Sequence, residues 1–239
     1  MLKGNERIDD LECRGYKIIQ DPDGYCFTSD SVLLSNLAEV KTKDRVVDLC
    51  TGSGVVALLI NAKYSPKEVI GAEIQPRLAD MAQRSVALNG AEKTVKIINA
   101  SVIGLTKTIG SGFDVVTVNP PYEPAQGEEN PTESDVCKKE ICLTAEELIK
   151  ESAKLLRYGG SFYMVHRTRR AAEIVSLMVS YGIEPKKIYF VYPKKGKNAD
   201  TFIIEGKRGG KSGLIVPPPI IVYDDDGNYT PEVRSLYNK

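Results

Sequence analysis

Four consecutive residues have types and spacing that suit chemistry on a bound group. Asn119, Pro120, Pro121 and Tyr122 end the apolar run "FDVVTVNPPY", which has the composition of a buried strand. Two successive prolines remove two backbone N–H donors and hold the chain in a stiff, extended path. The motif therefore predicts a rigid loop that points the Asn119 side chain and nearby carbonyl groups at a ligand.

A second motif precedes it, where the strand "RVVDLC" continues through "TGSG" into the helix "VVALLINAKY". Glycines in such a turn let the backbone approach a ligand, and the helix start presents unpaired N–H groups. Gly52, Gly54 and Ala57 fit the loose G-x-G-x-x-A dinucleotide pattern, and Glu73 follows at the distance of a ribose-binding acid. Asp48 suits an ammonium group better than a pyrophosphate. The motif thus favours a cofactor with an amino group over NAD; the alternative is a glycine turn without a ligand.

Strands that alternate with helices from residue 45 onward position these motifs. The predicted strands are 45–50, 68–74, 95–100, 113–119, 161–166, 186–193 and 201–208. Such alternation predicts an α/β fold with a mostly parallel, seven-stranded sheet and helices on both faces. The last two strands are joined by "KKGKNAD", which is too short for a helical crossover, so we expect an antiparallel last strand.

The two ends of the chain are predicted to be smaller additions to this sheet. "GYKIIQDPDGYCFTSD" predicts a short hairpin with a turn at Pro22-Asp23-Gly24, followed by a helix capped near Thr28 or Ser29. The proline-rich and then acidic tail predicts an extension laid on the surface. The expected organisation is a hairpin and helix over 1–40, the main domain over 41–211 and a C-terminal extension over 212–239.

Composition limits the classes of protein to which the chain can belong. Of 239 residues, 42% are hydrophobic and 27% are charged, which is typical of a globular protein. The longest aliphatic stretch, Val55–Ile60, is too short to cross a bilayer, and the charged N-terminus differs from a signal peptide. We therefore expect a cytoplasmic protein without a membrane partner. Five cysteines without a C-x-x-C pair indicate neither disulfides nor a metal site.

Charge is distributed unevenly along a chain whose formal net charge is zero. Residues 1–149 carry a net charge of −7, residues 150–211 carry +9, and the tail carries −2. A basic segment of this kind is typical of enzymes that bind nucleic acid. A solvated surface that balances the acidic half is the alternative explanation.

Together the motifs resemble a known family. The chain resembles class I S-adenosylmethionine-dependent amino-methyltransferases, which have a Rossmann-like fold. The resemblance lies in three motifs: D-x-x-T-G-S-G at the first strand, an acid that ends the second strand, and N-P-P-Y at the end of the fourth. "GYCFTSDSVLLSNLA" and the tail segments "PPPII" and "GNYTPE" resemble the bacterial family that methylates N6 of an adenosine next to the anticodon of valine tRNA. The resemblance covers residues 15–233.

This resemblance implies S-adenosyl-L-methionine as the cofactor. Asp48 would contact its methionine amino group, and Glu73 would bind both ribose hydroxyls. Ser101 stands where the family usually has an acid for the adenine amino group, so we expect that contact to be weaker by roughly 1 kcal/mol. The implied cofactor-binding residues are Asp48, Thr51, Gly52, Gly54, Glu73, Ile74, Ser101 and Asn119.

The resemblance also implies methyl transfer to an exocyclic adenine amine, whose lone pair is delocalised into the ring. The Asn119 oxygen and the Pro120 carbonyl would accept its two N–H groups and direct the lone pair at the methyl group. Pro121 would keep the loop rigid, and Tyr122 would stack on the base, contributing roughly 1–3 kcal/mol. No general base is required, so we expect a structural or RNA-facing role for His166, the single histidine.

The implied partner is tRNA. Tyr25 and Phe27 are expected to flank the target base, and three basic clusters are expected to converge on one face and contact phosphates. The clusters are Arg167, Arg169 and Arg170; Lys194, Lys195 and Lys197; and Lys207, Arg208 and Lys211. Lys138-Lys139-Glu140 is a further candidate substrate contact. Three other functions stay open, namely methylation of a protein glutamine, methylation of ribosomal guanine N2, and RNA binding without catalysis.

Overall fold

The computed structural model describes residues 2–23, 26–120, 122 and 143–237. The strands are β1 (Arg7–Asp10), β2 (Lys17–Gln20), β3 (Arg45–Leu49), β4 (Glu68–Glu73), β5 (Val95–Asn99), β6 (Phe113–Val118), β7 (Leu156–Arg167), β8 (Ile183–Lys194), β9 (Thr201–Arg208) and β10 (Ile220–Tyr223). The helices are α1 (Ser29–Leu37), α2 (Val55–Tyr64), α3 (Pro76–Leu88), α4 (Thr106–Ile109), α5 (Ala145–Leu155), α6 (Ala171–Ser180) and α7 (Pro231–Tyr237).

Eight of the described strands form one sheet in the order β10-β8-β9-β7-β6-β3-β4-β5. Neighbouring strands are parallel except at β9, which is antiparallel to both β7 and β8. The predicted mostly parallel α/β sheet is therefore confirmed, including the antiparallel pairing across the short loop 195–200. The sheet has one strand more than predicted, because β10 in the tail pairs with β8.

Local sequence signals place the helices that flank the site. Gly54 precedes α2 with φ of 90°, a left-handed conformation that glycine adopts without strain. Pro76 occupies the first turn of α3, where its missing N–H has no intrahelical partner to lose. Thr144 and Glu147 form the predicted capping box at the start of α5.

Helices cover both faces of the sheet and bury two apolar cores. On one face, α1 and α2 pack against alternate residues of β3 and β6, such as Val46 and Val115. On the other face, α5 and α6 pack against Val47 and Val116. Adjacent residues of a strand point to opposite faces, so a strand buried on both sides is apolar throughout. Among the described helices, none is both long and apolar enough to traverse a bilayer.

Two expectations about the ends of the chain are wrong. The strand Lys17–Gln20 pairs with Arg7–Asp10, which comes before it, whereas residues 26–28 are not in a strand. The tail does not only lie on the surface, since Ile220, Val222 and Val233 are buried in the core shared with α1 and α2. Strand pairing depends on partners that are distant along the chain, and local patterns do not identify them. The division into three segments stays a prediction.

Candidate functional site

The candidate site lies where the order of strands along the chain reverses direction. From β3 the chain continues through β4 and β5 on one side, and then returns to β6 on the other side of β3. Ligands of open α/β sheets bind at such a switch point, beside the carboxyl ends of the strands. Asp48 near the end of β3, Glu73 at the end of β4 and Asn119 after β6 all lie at this edge.

Asp48 is a buried carboxyl group whose side chain is held by two hydroxyls. Its Oδ2 accepts a hydrogen bond from the Thr51 hydroxyl at 2.5 Å, and its Oδ1 accepts one from the Thr117 hydroxyl at 2.7 Å. The residue is 1% exposed. Burial raises its pKa to about 7, and the nearby Glu73 charge acts in the same direction, although both hydroxyls lower it. A cationic group beside Asp48 would favour the charged form.

Thr51 reaches Asp48 because the neighbouring strand leaves room for it. A Cβ atom on Gly71 of β4 would lie 2.9 Å from the Thr51 hydroxyl oxygen and 2.7 Å from Ile97 Cδ1. Glycine at position 71 is therefore part of the site, although the sequence analysis did not identify it. Thr117 was also missed. It lies directly beside Asp48 in the parallel register of β3 and β6, and strand alternation alone predicts only that it is buried.

The glycine turn and Glu73 are tied together. Glu73 Oε2 accepts the Gly52 N–H at 2.9 Å, and Glu73 Oε1 accepts the Gln75 N–H at 2.9 Å. A carboxylate oxygen can accept more than one hydrogen bond, which suits the predicted contact of Glu73 with ribose hydroxyls. Within the turn, the Ser53 hydroxyl is buried and has no hydrogen-bond partner among the described residues. Buried polar groups normally have partners, so this hydroxyl indicates that the turn suits a polar ligand.

Two further predicted cofactor contacts lie close to this turn. Ile74 follows Glu73 and keeps 43% of its surface exposed, which is unusual for an isoleucine next to a buried strand. Ser101, after β5, is exposed, and its hydroxyl accepts the Ile103 N–H at 3.2 Å. Their proposed contacts with an adenine ring stay predictions.

The Asn119 amide is held between a helix and the tyrosine of its own motif. Asn119 Nδ2 donates to the Ser31 hydroxyl of α1 at 2.9 Å, and Asn119 Oδ1 accepts a short hydrogen bond from the Tyr122 hydroxyl at 2.5 Å. The same hydroxyl lies 3.2 Å from Asp30 Oδ2. Sequence analysis missed Asp30 and Ser31, because polar residues at a helix start are equally explained as helix-capping groups. Pro120 is buried, whereas Pro121 lies outside the described residues.

The Tyr122 ring is packed between two residues from the end of β7. The Arg167 guanidinium lies 5.1 Å from the ring centre, and the ring meets His166 edge-on with 5.4 Å between ring centres. His166 is fully buried, and its Nδ1 accepts the Arg167 N–H at 2.9 Å. Burial lowers the pKa of His166 to about 4, so the imidazole is neutral at physiological pH. Arg167 also forms an ion pair with Asp200.

The first two basic clusters lie at the same edge of the sheet as Asn119. The arginine cluster follows β7 and the lysine cluster follows β8, and both strands run in the direction of β6. Arg170 is paired with Glu173, and Lys194 is half-buried. The exposed members are Arg169, Lys195 and Lys197. Their contacts with a substrate stay predictions.

The third cluster does not converge with them. Because β9 is antiparallel, Lys207 lies opposite Ser161, six residues before Arg167 at the carboxyl end of β7, and its ammonium donates to the Ser161 hydroxyl at 2.8 Å. Arg208 donates to the Tyr181 carbonyl at 2.6 Å, and the Lys211 carbonyl accepts a bond from another lysine. The expectation that all three clusters share one face is therefore wrong.

The remaining predicted contacts lie near or beyond the described residues. Phe27 is half-buried and packs against the core, and its N–H donates to Gln20 Oε1 at 2.8 Å. Tyr25 and the stretch Lys138-Lys139-Glu140 lie outside the described residues. Whether these residues contact a substrate stays a prediction.

Comparison with known proteins adds family information to this geometry. The family model of the methyltransferase small domain matches residues 27–180, which is more than half of the chain. A tRNA1(Val) (adenine(37)-N6)-methyltransferase of Aeromonas hydrophila is 25% identical over 205 residues, which are 84% of each chain. A protein of Methanocaldococcus jannaschii, provisionally named a protein N5-glutamine methyltransferase, is 32% identical over 120 residues. These are 50% of this chain and 57% of that protein.

A solved structure shares the fold over most of its length. The crystal structure of a predicted O-methyltransferase from Agrobacterium tumefaciens superposes with a TM-score of 0.70 at 23% identity, over 87% of this chain and 95% of that one. The Rossmann-like methyltransferase fold predicted from the sequence is thereby confirmed.

Proposed function

The chain belongs to the methyltransferase small-domain family, and on this premise we propose that it methylates the N6 amine of an adenosine in tRNA. S-adenosyl-L-methionine, the cofactor predicted from the sequence, is the methyl donor of this class of enzyme. The acceptor would be in the anticodon loop, as in the tRNA1(Val) relatives, which align with this chain over most of their length.

The observation that carries the tRNA proposal is the position of the exposed cations. Arg169, Lys195 and Lys197 lie at the same edge of the sheet as Asn119, so a chain of phosphates can cross them while one base enters the site. Lysine and arginine contacts with phosphates release counterions, and they make binding depend strongly on salt concentration. A bound nucleic acid would also compensate the net positive charge of residues 150–211.

The cofactor would be held by the groups that meet at the switch point. Asp48 would hold the ammonium group, and the two oxygens of Glu73 would hold the ribose hydroxyls. When bound, the cofactor supplies a methyl group on a positively charged sulfur. The work of the protein is then to orient the nucleophile, because correct alignment of two reactants removes much of the barrier.

Asn119 and Pro120 would orient that nucleophile. The Asn119 Oδ1 atom and the Pro120 carbonyl would accept the two N–H groups of the amine, which moves the lone pair out of conjugation with the ring. In the present structure the Tyr122 hydroxyl donates to this same oxygen, so Tyr122 must move before an amine can bind there. The displaced tyrosine ring would then be available to stack on the base.

Methylation of a protein glutamine is the second candidate. It is favoured by the 32% identity with the M. jannaschii protein, over half of this chain. A glutamine amide has two N–H groups, as an adenine amine has, so Asn119 alone does not distinguish the acceptors. Ribosomal guanine N2 is a third acceptor of the same chemistry. RNA binding without catalysis is an alternative that requires no cofactor.

One labelling experiment decides among these functions. The protein is incubated with methyl-labelled S-adenosyl-L-methionine and, in parallel, with tRNA, ribosomal RNA or a glutamine-containing release factor. Each acceptor is digested, and the labelled unit is identified by mass. We expect N6-methyladenosine from tRNA, and no label with Asn119→Ala. Label only in the protein fraction would refute the tRNA assignment, and failure to bind the cofactor would refute the catalytic one.

A further inference from the structure

An open cleft lies at the end of β8, apart from the groups that meet at the switch point. Its volume is about 290 Å³, which is close to the lower limit of pockets that hold small ligands, about 300 Å³. Half-buried apolar side chains and exposed cations both line it. The lining residues are Tyr192, Lys195, Gly196, Lys197, Pro219 and Ile221.

The pairing of β8 with β10 builds the apolar side of this cleft. Tyr192 and Ile221 lie opposite each other in the parallel pair, so their side chains lie on the same face of the sheet. Ile188 and Phe190, at alternate positions before Tyr192, pack in the same core as α5 and α6. At Tyr192 and Ile221 this face is only half-buried, which leaves apolar surface open to a ligand.

Both walls of the cleft have a restricted backbone. On one side, the Lys197 N–H donates to the Lys194 carbonyl at 3.2 Å and closes a turn with Lys195 and Gly196 at its corner. Gly196 has φ of 77°, which glycine adopts without strain. On the other side, the prolines at 217–219 hold the chain that enters β10 in a stiff path. A site formed in advance of its ligand costs less ordering on binding.

The ring of Tyr192 is available for stacking. The tyrosines of the tail stack on one another, with 5.3 Å between the ring centres of Tyr223 and Tyr229, and 5.2 Å between those of Tyr229 and Tyr237. Tyr192, by contrast, has no aromatic ring against it among the described residues. An aromatic face beside cations is the arrangement on which bases of single-stranded nucleic acid stack while the backbone follows the charges.

The two cations of the cleft favour an anionic ligand. Lys195 and Lys197 are exposed, and neither has an acid within ion-pair distance in the part of the chain that the structure describes. The nearest acid along the chain, Asp200, pairs with Arg167 instead. A nucleotide supplies both complements, because its phosphate is the anion and its base is the flat partner for Tyr192.

The cleft lies at the same edge of the sheet as Asn119. Through Thr201 of β9, Val191 is level with Arg167 at the end of β7. Three strand spacings of about 4.8 Å separate β8 from β6, so the cleft lies on the order of 15–20 Å from Asn119. A few nucleotides span this distance, since each stacked nucleotide rises about 3.4 Å.

We propose that this cleft binds one unpaired nucleotide of the substrate RNA, a few positions along the strand from the target adenosine. The base stacks on the Tyr192 ring beside Ile221, and the adjoining phosphates lie at Lys195 and Lys197. The subsite rests on RNA being the substrate, as the proposed function states. Stacking tolerates any base, so the cleft fixes the position of the strand and does not read its sequence.

The test measures dissociation constants for a single-stranded RNA of about ten nucleotides and for the same sugar-phosphate strand without bases. Tyr192→Leu keeps apolar bulk but removes the ring, whereas Tyr192→Phe keeps the ring. We expect Tyr192→Leu to bind the RNA about tenfold more weakly and Tyr192→Phe to stay within about twofold of wild type. Both variants should bind the abasic strand as wild-type protein does.

A matched control and a second measurement complete the test. Tyr158→Leu makes the same change at a tyrosine that is 79% exposed near the amino end of β7, and it should bind both strands as wild type does. An unchanged affinity of Tyr192→Leu for the RNA would overturn the proposal. If this variant loses both strands equally, wild-type protein decides. RNA that carries 4-thiouridine is crosslinked to it, and absence of the Tyr192 peptide from the crosslinked peptides overturns the cleft.

The outcome for the proposed function is read separately, from the labelling of wild-type protein. If RNA is labelled, Tyr192→Leu should raise KM for that RNA about tenfold and leave kcat within about twofold, because the cleft lies far from Asn119. Label in RNA with an unchanged KM overturns the cleft alone. RNA that binds through Tyr192 without being labelled refutes methylation and leaves the cleft. If RNA is neither bound nor labelled, both proposals fail.

Discussion

Replacement of Asp48 by asparagine should stabilise the free protein while weakening cofactor binding. Asp48 is 1% exposed, and its two hydroxyl partners, Thr51 and Thr117, can each donate or accept. An asparagine would accept from one hydroxyl and donate to the other, so both hydrogen bonds can persist. The substitution therefore removes a buried charge without leaving a buried polar atom unpaired.

The magnitude follows from the pKa of Asp48. The value rises from 3.8 to about 7 on folding. Between these values the folded state holds a proton that the unfolded state has lost, so the stability contributed by this group is complete below pH 3.8 and disappears as the pH rises through 7. At about 1.4 kcal/mol for each pKa unit, this amounts to up to about 4 kcal/mol.

We therefore expect Asp48→Asn to exceed wild-type protein in unfolding free energy by up to about 4 kcal/mol at about pH 8, and by much less at about pH 4.5. Denaturant unfolding at both pH values measures this difference, and Asp225→Asn serves as the exposed control. Cofactor affinity, measured by calorimetry at about pH 7.5, should fall about 10–100-fold, because a charge-assisted hydrogen bond is lost. A stability difference that is the same at both pH values would refute the assignment of a buried Asp48 with a pKa of about 7.

Four further outcomes are expected. Asn119→Ala should abolish turnover with less than about a threefold change in cofactor affinity; a large loss of affinity in calorimetry would contradict its role as an amine acceptor. Tyr122→Phe removes the hydroxyl that occupies Asn119 Oδ1, so we expect substrate affinity to rise by up to about tenfold in titrations; an unchanged or weaker affinity would show that the hydroxyl does not compete. His166 has a pKa of about 4 in the folded protein against an ordinary value of 6.5, so the unfolding free energy of wild-type protein should fall by up to about 3 kcal/mol as the pH drops from about 7 to about 4. His166→Gln should lack this part of the pH dependence when both proteins are unfolded with denaturant at the two pH values. Lys195→Gln combined with Lys197→Gln should reduce the slope of log affinity for tRNA against log salt by about two; an unchanged slope would remove these lysines from the interface.

Much of the fold was predictable because its signals are local. The capping box at Thr144 and Glu147, the proline that starts α3 and the glycine turn before α2 each depend on residues within a few positions of one another. The antiparallel last strand followed from the length of a single loop. These predictions required no knowledge of which distant segments meet.

The errors concern pairings between distant segments. The partner of Lys17–Gln20 lies before it instead of after it, and the tail supplies an edge strand whose pattern is short and preceded by prolines. A four-residue apolar run can pair with any exposed strand edge, so its partner is chosen by packing and not by its own sequence.

The sequence by itself determined the chemistry that the site can offer. The types and order of Asp48, Glu73 and Asn119, each at the end of a strand, follow from strand patterns and turn residues, which are properties of the chain alone. Parallel strands then bring their carboxyl ends to one edge in any folded arrangement of this class.

Only the tertiary structure decided which side chains surround these groups. Ser31 and Asp30 of α1 accept hydrogen bonds from Asn119 and Tyr122, respectively, which follow β6. The third basic cluster lies away from the site because β9 runs antiparallel. Neither fact can be derived from local sequence, since contacts between segments far apart along the chain depend on how complete elements pack in space.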